Sequence, residues 1–154
     1  MTEPRPFIGA VSDYLEHPMR KNWFEMKAEP QQPAAIAIYD DIGAYGVTAK
    51  DFIAALGSIS APVIRLSINS PGGAVFDALA MFNALRQHPA EIMVDVIGVA
   101  ASAASLIAMA GDRIHMADNA FMMVHNPMSA AAGNAEDLRD LADTLDKIGA
   151  SLVS

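Results

Sequence analysis

The chain has 154 residues, of which 53% are hydrophobic types and 18% charged, with a formal net charge of −8. That is enough apolar material for one domain with a buried core, and the acidic balance argues against a surface that grips nucleic acid or anionic lipid, either of which needs clustered lysine and arginine. The absence of cysteine removes disulfides, thiol nucleophiles and thiolate zinc sites together, and it fits a reducing, intracellular compartment.

Residues 1–33 are polar and carry five of the nine prolines, which predicts an irregular lead-in arm with one short element near Asn22–Lys27. No basic segment followed by an apolar core marks a secretory signal. The longest apolar run, Ile97 to Ala110, falls short of the roughly 20 residues that a membrane span needs; a buried core segment and no membrane partner are expected.

From Ala34 the chain alternates strand and helix signals, so a single domain is expected over 34–154. "AIAIYDDIG" reads as a strand running into a polar turn. Thr48 then caps "TAKDFIAALGSI", with Asp51 three residues on as an acidic partner. In "PVIRLSINS", Ile64, Leu66 and Ile68 alternate with Arg65, Ser67 and Asn69, a half-buried strand. After Pro71-Gly72-Gly73 comes a helical stretch with Val75, Leu79, Phe82 and Leu85 on one face. "IMVDVIG" is another strand, and Ser102 to Ala110 a buried helix. Two short apolar runs follow, around Ile114 and at "AFMMVH". An amphipathic helix from Asn134 closes the chain, with Leu138, Leu141, Leu145, Ile148 and Leu152 in one stripe and acidic residues mostly opposite. Strands alternating with helices predict an α/β fold of right-handed βαβ units, a sheet covered by helices.

In such sheets, sites form where strand ends meet helix starts, here at "NSPGG" and "GVAAS". A Pro-Gly-Gly step is ordinarily a tight turn, yet bare glycine backbone can also offer N–H groups to a substrate or an oxyanion. A serine among alanines is ordinarily packing or a cap, yet Ser102 would sit beside the unpaired amides of a helix start. Of the four histidines (His17, His88, His115 and His125), none stands at metal-ligand spacing from another, so no metal or other cofactor is expected. His125 ends the apolar "AFMMV" run before Asn126-Pro127, a position that suits either a satisfied core residue or a base.

Together, "NSPGG", "GVAAS" and "MVHNP" resemble the signatures of the proteolytic subunit of the Clp protease, a serine peptidase family. Ser102 follows Gly73 by 29 residues and precedes His125 by 23. The resemblance implies a ClpP/crotonase-like α/β fold of repeated ββα units ending in a long handle-type helix. It implies Ser102 as nucleophile, His125 as base, the Gly73 and Ala103 amides as oxyanion hole, and backbone pairing of substrate along Gly72, Ala74 and Val75. It further implies a homo-oligomeric ring, with rings meeting through the 135–152 helix, and a Clp-type ATPase as a partner class. Val99 where the family usually has glutamine, and Ala103-Ala104 for Met-Gly, depart from the cellular enzymes. The passages "AIAIYDDIG" and "GAYGVTAKDF" look more like the head-maturation proteases of tailed phages. On that likeness the substrates are capsid or scaffold proteins and the place of action the bacterial cytoplasm or the prohead.

The family's triad acid lies past the long helix, at a position expected beyond Ser154. Asp112, Asp118, Asp137, Asp140, Asp143 and Asp146 do not correspond to it, so an incomplete triad and an inactive chain are expected. The alternatives are a non-catalytic ring or assembly subunit, which keeps the fold without the chemistry, and a crotonase-type acyl-CoA enzyme. A membrane-associated serine–lysine peptidase has less behind it, since Lys50 and Lys147 lack a supporting motif.

Overall fold

A computed structural model describes residues 33–152; the expected lead-in arm lies outside the described residues except for its last position. Among the described residues the order is β1 (Ala34–Ile38), α1 (Ala49–Gly57), β2 (Val63–Ser70), α2 (Val75–Gln87), β3 (Glu91–Ala101), α3 (Ala103–Ala108), β4 (Arg113–Met116), β5 (Phe121–Met123) and α4 (Ala135–Leu152). This is the expected α/β alternation. All strand pairs are parallel, in the order β1-β2-β3-β4. Parallel neighbours need a crossover, which α1, α2 and α3 supply.

β3 spans 11 residues and serves two partners in turn. Its Met93–Val96 segment pairs with β4, and Val99–Ala101 pairs with β5. The second pairing carries the sheet forward to the point where β3 hands the chain to α3.

Alternation places Ile64, Leu66 and Ile68 of β2 and Ile92, Val94 and Val96 of β3 in one buried cluster with Phe52, Leu56, Met81, Leu85 and Ile107. Each such side chain contributes roughly 1.5–3 kcal/mol on burial. The opposite face of the sheet is polar and more open, and there Asp95 stands 3.9 Å from Arg65 and 3.5 Å from His115.

Thr48 caps α1 as expected, its Oγ1 accepting from the Asp51 amide and donating to the Asp51 carboxylate at 2.9 Å. The Asp77 carboxylate accepts from the Ala49 amide at 2.8 Å, tying the start of α1 to α2. In α2 the buried line is Ala78, Met81 and Leu85, while Val75, Leu79 and Phe82 are only half-buried. The face is rotated from the one expected because small Ala78 and flexible Met81 fit closest to the sheet, whereas the larger Phe82 packs at its margin. α3 begins at Ala103, one residue later than expected, with Ser102 as the hinge residue before it.

α4 is capped by Asn134, whose Oδ1 accepts from the Glu136 and Asp137 amides while the Asp137 carboxylate accepts from the Asn134 amide. None of its residues is fully buried. Leu141, Leu145, Ile148 and Leu152 are half-buried, and their stripe faces a cavity rather than the main core. No described helix is long and apolar enough to cross a membrane.

Candidate active site

The site is assembled at the carboxyl ends of β2, β3 and β5. At the end of β2 the register slips: Ile68 pairs with Val96, but Ser70 pairs with Ala100. Asn69 fills the gap, its Oδ1 accepting from the Val99 amide at 3.1 Å. A side chain at position 98 would collide with that oxygen, so the first glycine of "GVAAS" leaves room for the asparagine of "NSPGG" to keep its bond to Val99.

Ser70 is fully buried. Its hydroxyl donates to the Asp40 carbonyl at 2.7 Å and accepts from the Gly72 amide at 3.1 Å. It thereby ties the loop after β1 to the glycine turn. Ile42 completes the tie: its amide donates to the Gly72 carbonyl, and its carbonyl accepts from the Ala74 amide, both at 2.8 Å. Gly72 and Gly73 have φ of 98° and 144°, a region that favours glycine. The Gly72 and Ala74 amides are therefore engaged within the fold. The Gly73 amide, between them, has no acceptor among the described residues, and Val75 opens α2 beside the cavity.

Across this turn sits Ser102, with φ 53° and ψ −123°. Among the described residues it is the one non-glycine at positive φ, a conformation that costs on the order of 1–3 kcal/mol. Three contacts hold it. Its amide donates to the Met123 carbonyl at 2.8 Å, and its carbonyl accepts from the Ser105 hydroxyl at 2.6 Å and the Ser105 amide at 3.0 Å. The sharp strand-to-helix turn aims Oγ out of the sheet edge. The Ala103 amide, first in α3, has no acceptor among the described residues.

His125 follows β5, and its Nε2 lies 2.8 Å from Ser102 Oγ. Its Nδ1 lies 2.6 Å from the Asn126 carbonyl oxygen. None of the carboxylates considered above meets this ring. Asp112 is used elsewhere, accepting from the Ile92 amide at 2.8 Å and facing Arg86 at 3.5 Å. Among the described residues, no group of three or more His, Cys, Asp or Glu side chains is gathered to hold a metal.

A cavity of about 540 Å³ opens beside the pair. Gly73, Val75, Ser102 and His125 form one side, and the Leu141–Leu145–Ile148–Leu152 stripe of α4 forms the other. Of the residues singled out from sequence, Gly73, Ala74, Val75, Ser102, Ala103 and His125 line this cleft, whereas Gly72 is buried away from it. Asn69, Ser70 and Ile42, which hold the turn, were not singled out. The serine of "NSPGG" carried a usable signal, because a serine hydroxyl commonly bonds the amide two residues on. The long-range tie to Ile42 carried none.

Replacing Ser70 by alanine is expected to leave the Gly72 amide and Asp40 carbonyl short of a buried partner. That costs about 1–3 kcal/mol, read as a fall in Tm of about 5–10 °C. An unchanged Tm would show that the tie does not hold the turn.

Fold and site together define an α/β protein with a serine–histidine pair at the carboxyl end of a parallel sheet. The family model described as Clp protease matches residues 31–154, and the chain belongs to that family. It is 33% identical over 84 residues to ATP-dependent Clp protease proteolytic subunit 1 of Synechococcus sp. (strain CC9902), covering 53% of this chain and 43% of that protein. Against proteolytic subunit 2 of Thermobifida fusca (strain YX), identity is 36% over 84 residues, 53% of this chain and 41% of the relative. Against the proteolytic subunit of Leuconostoc citreum (strain KM20) it is 35% over 88 residues, 54% and 44%. The chain spans less than half the length of these curated relatives.

Proposed function

We propose that the chain is a serine endopeptidase that works through an acyl-enzyme. The observation that carries this reading is the 2.8 Å approach of His125 Nε2 to a serine held at positive φ at the start of a helix. In this reading Ser102 Oγ attacks the scissile carbonyl while Nε2 takes the hydroxyl proton. The oxyanion is received by the Gly73 and Ala103 amides, the two left without an acceptor in the described fold. The tetrahedral intermediate then collapses as His125 gives its proton to the leaving amine. Water, deprotonated by the same nitrogen, hydrolyses the ester and restores Ser102. The amides and carbonyls of Gly72 and Ala74 are already bonded within the fold, so the expected pairing of an extended substrate with them does not form. The substrate instead meets the turn at Gly73 and Val75 and places one side chain in the cavity beside α4.

Membership of the Clp protease family supports the peptidase class. The finer reading rests on the sequence passages compared above: capsid or scaffold proteins of tailed phages as substrates, within the bacterial cytoplasm or the prohead. A ring of identical subunits, with the α4 helices meeting between rings, and a Clp-type ATPase partner are carried over from the family in the same way. Because no described carboxylate stands behind His125, the 154-residue chain is expected to turn over slowly or not at all.

A fluorophosphonate probe tests the chemistry without requiring turnover. The expected result is a single adduct that maps to Ser102 and is lost in His125→Ala. A folded protein that takes up no label would favour the non-catalytic ring or assembly subunit.

A further inference from the structure

We infer that Ser105 is a positioning residue for the oxyanion site: its hydroxyl fixes the peptide plane between Ser102 and Ala103 and thereby aims the Ala103 amide into the cleft. Its catalytic meaning rests on the peptidase reading, whereas the bond itself is a property of the fold.

Ser102 is the N-cap of α3, yet its own hydroxyl makes no capping bond and instead meets His125 Nε2 at 2.8 Å. An N-cap serine ordinarily turns its oxygen onto the second or third amide of the helix, and that use would withdraw the hydroxyl from the base. Three positions on, Ser105 makes the reverse connection. Its hydroxyl donates to the Ser102 carbonyl at 2.6 Å, alongside the Ser105 amide at 3.0 Å. A glutamate or glutamine at this position reaches back to the amide of the cap residue, but here that amide is already given to the Met123 carbonyl at 2.8 Å. The carbonyl is what remains to be held, and a hydroxyl can donate to it. Ser105 is only 6% exposed, so water has little access to compete for the bond.

Peptide planarity carries the effect to the site. The Ser102 carbonyl and the Ala103 N–H belong to one trans peptide and point in opposite directions. A carbonyl held onto the first turn of α3 leaves the N–H facing away from it, and the Ala103 amide has no acceptor among the described residues. Donation to the carbonyl also polarises the peptide, strengthening successive bonds by about 10–30%. The turn needs this second tether because Ser102 stands at φ 53°, where a non-glycine residue is strained. Without the hydroxyl the carbonyl keeps its bond from the Ser105 amide, so Ser105→Ala is expected to fold.

The test labels the whole chain with 13C-carbonyl serine and 15N-alanine, so that the Ser–Ala peptides Ser60–Ala61, Ser102–Ala103 and Ser129–Ala130 alone give correlated NMR signals. The middle one is assigned by its loss in Ser102→Ala. Ser105→Ala is expected to move that carbonyl and that amide nitrogen to higher field and to leave the other two signals in place. It should also slow fluorophosphonate labelling of Ser102 about tenfold, a part of the roughly 10²–10³-fold that losing an oxyanion donor outright costs. Ser105→Thr keeps a hydroxyl able to bond the carbonyl three residues back and should restore both readouts. An unmoved Ser102–Ala103 signal in folded Ser105→Ala would overturn the inference. So would a moved signal with labelling unslowed, or equal slowing in folded Ser105→Ala and Ser105→Thr, which would assign the effect to packing. A signal that moves in a chain that never labels would leave the bond standing and remove the peptidase reading instead.

Discussion

Replacing Ser102 by alanine is expected to bring peptide cleavage down to the level of a Ser102→Ala/His125→Ala double variant. Nucleophile and base act as one unit, so either single loss should cost as much as both. In serine peptidases with a complete triad the loss from removing the nucleophile is on the order of 10⁶-fold, and removing only the acid costs about 10⁴-fold. Among the described residues the group meeting His125 Nδ1 is the neutral Asn126 carbonyl, so on the proposed reading the 154 residues assayed alone would start without much of that second factor. A measurable loss of about 10²-fold is therefore the expectation for this chain, with the Ser102→Ala protein folded by circular dichroism. Strong cleavage that survives in Ser102→Ala would assign the chemistry to another group. Brisk cleavage by the unmodified chain would show that a carboxylate is not needed for an effective rate.

A large structural effect is expected from Gly72→Ala. At φ 98° a side chain is strained, and the added methyl carbon would collide with the Ala101 carbonyl while lying 2.8 Å from Ser102 Cβ and 2.9 Å from the Ala103 amide nitrogen. Overpacking of this kind costs about 1–3 kcal/mol, and the unfavourable φ a similar amount. A combined loss of roughly 3–5 kcal/mol would lower Tm by about 10–20 °C. The same methyl group presses on the serine turn, so fluorophosphonate labelling should fall even at temperatures where the variant remains folded. A variant with unchanged Tm and unchanged labelling would show that the two turns are not in contact.

Much of this architecture is readable from local chemistry. Thr48 with Asp51, the alternation of Ile64, Leu66 and Ile68, and the leucine stripe of α4 all report short-range periodicity or capping, which a sequence displays directly. The serine, the histidine and the glycine turn are legible as a set because their order and spacing match a family pattern. What local patterning could not show is anything that depends on strands meeting. The register slip filled by Asn69, the Ile42 bridge and the rotated face of α2 are settled by packing between distant segments. The partner of His125 Nδ1 is a different case. Side chains were the natural place to look for it, and the oxygen that meets it belongs to the backbone of the next residue.

The bond from the Ser102 amide to the Met123 carbonyl has a bearing on the order in which the molecule is built. The strained turn at Ser102 is held in part by a strand that enters the sheet after β4, and the glycine turn facing it is held by Ile42 near the start of the fold. Parallel pairings close long loops before they gain contacts, which makes them slow to form. The reactive geometry therefore depends on segments from Ile42 to Met123 being in place together. A chain lacking β5 would carry Ser102 without the bond that holds its turn, so on the proposed reading the poised serine is a property of the assembled sheet and not of the short segment around it.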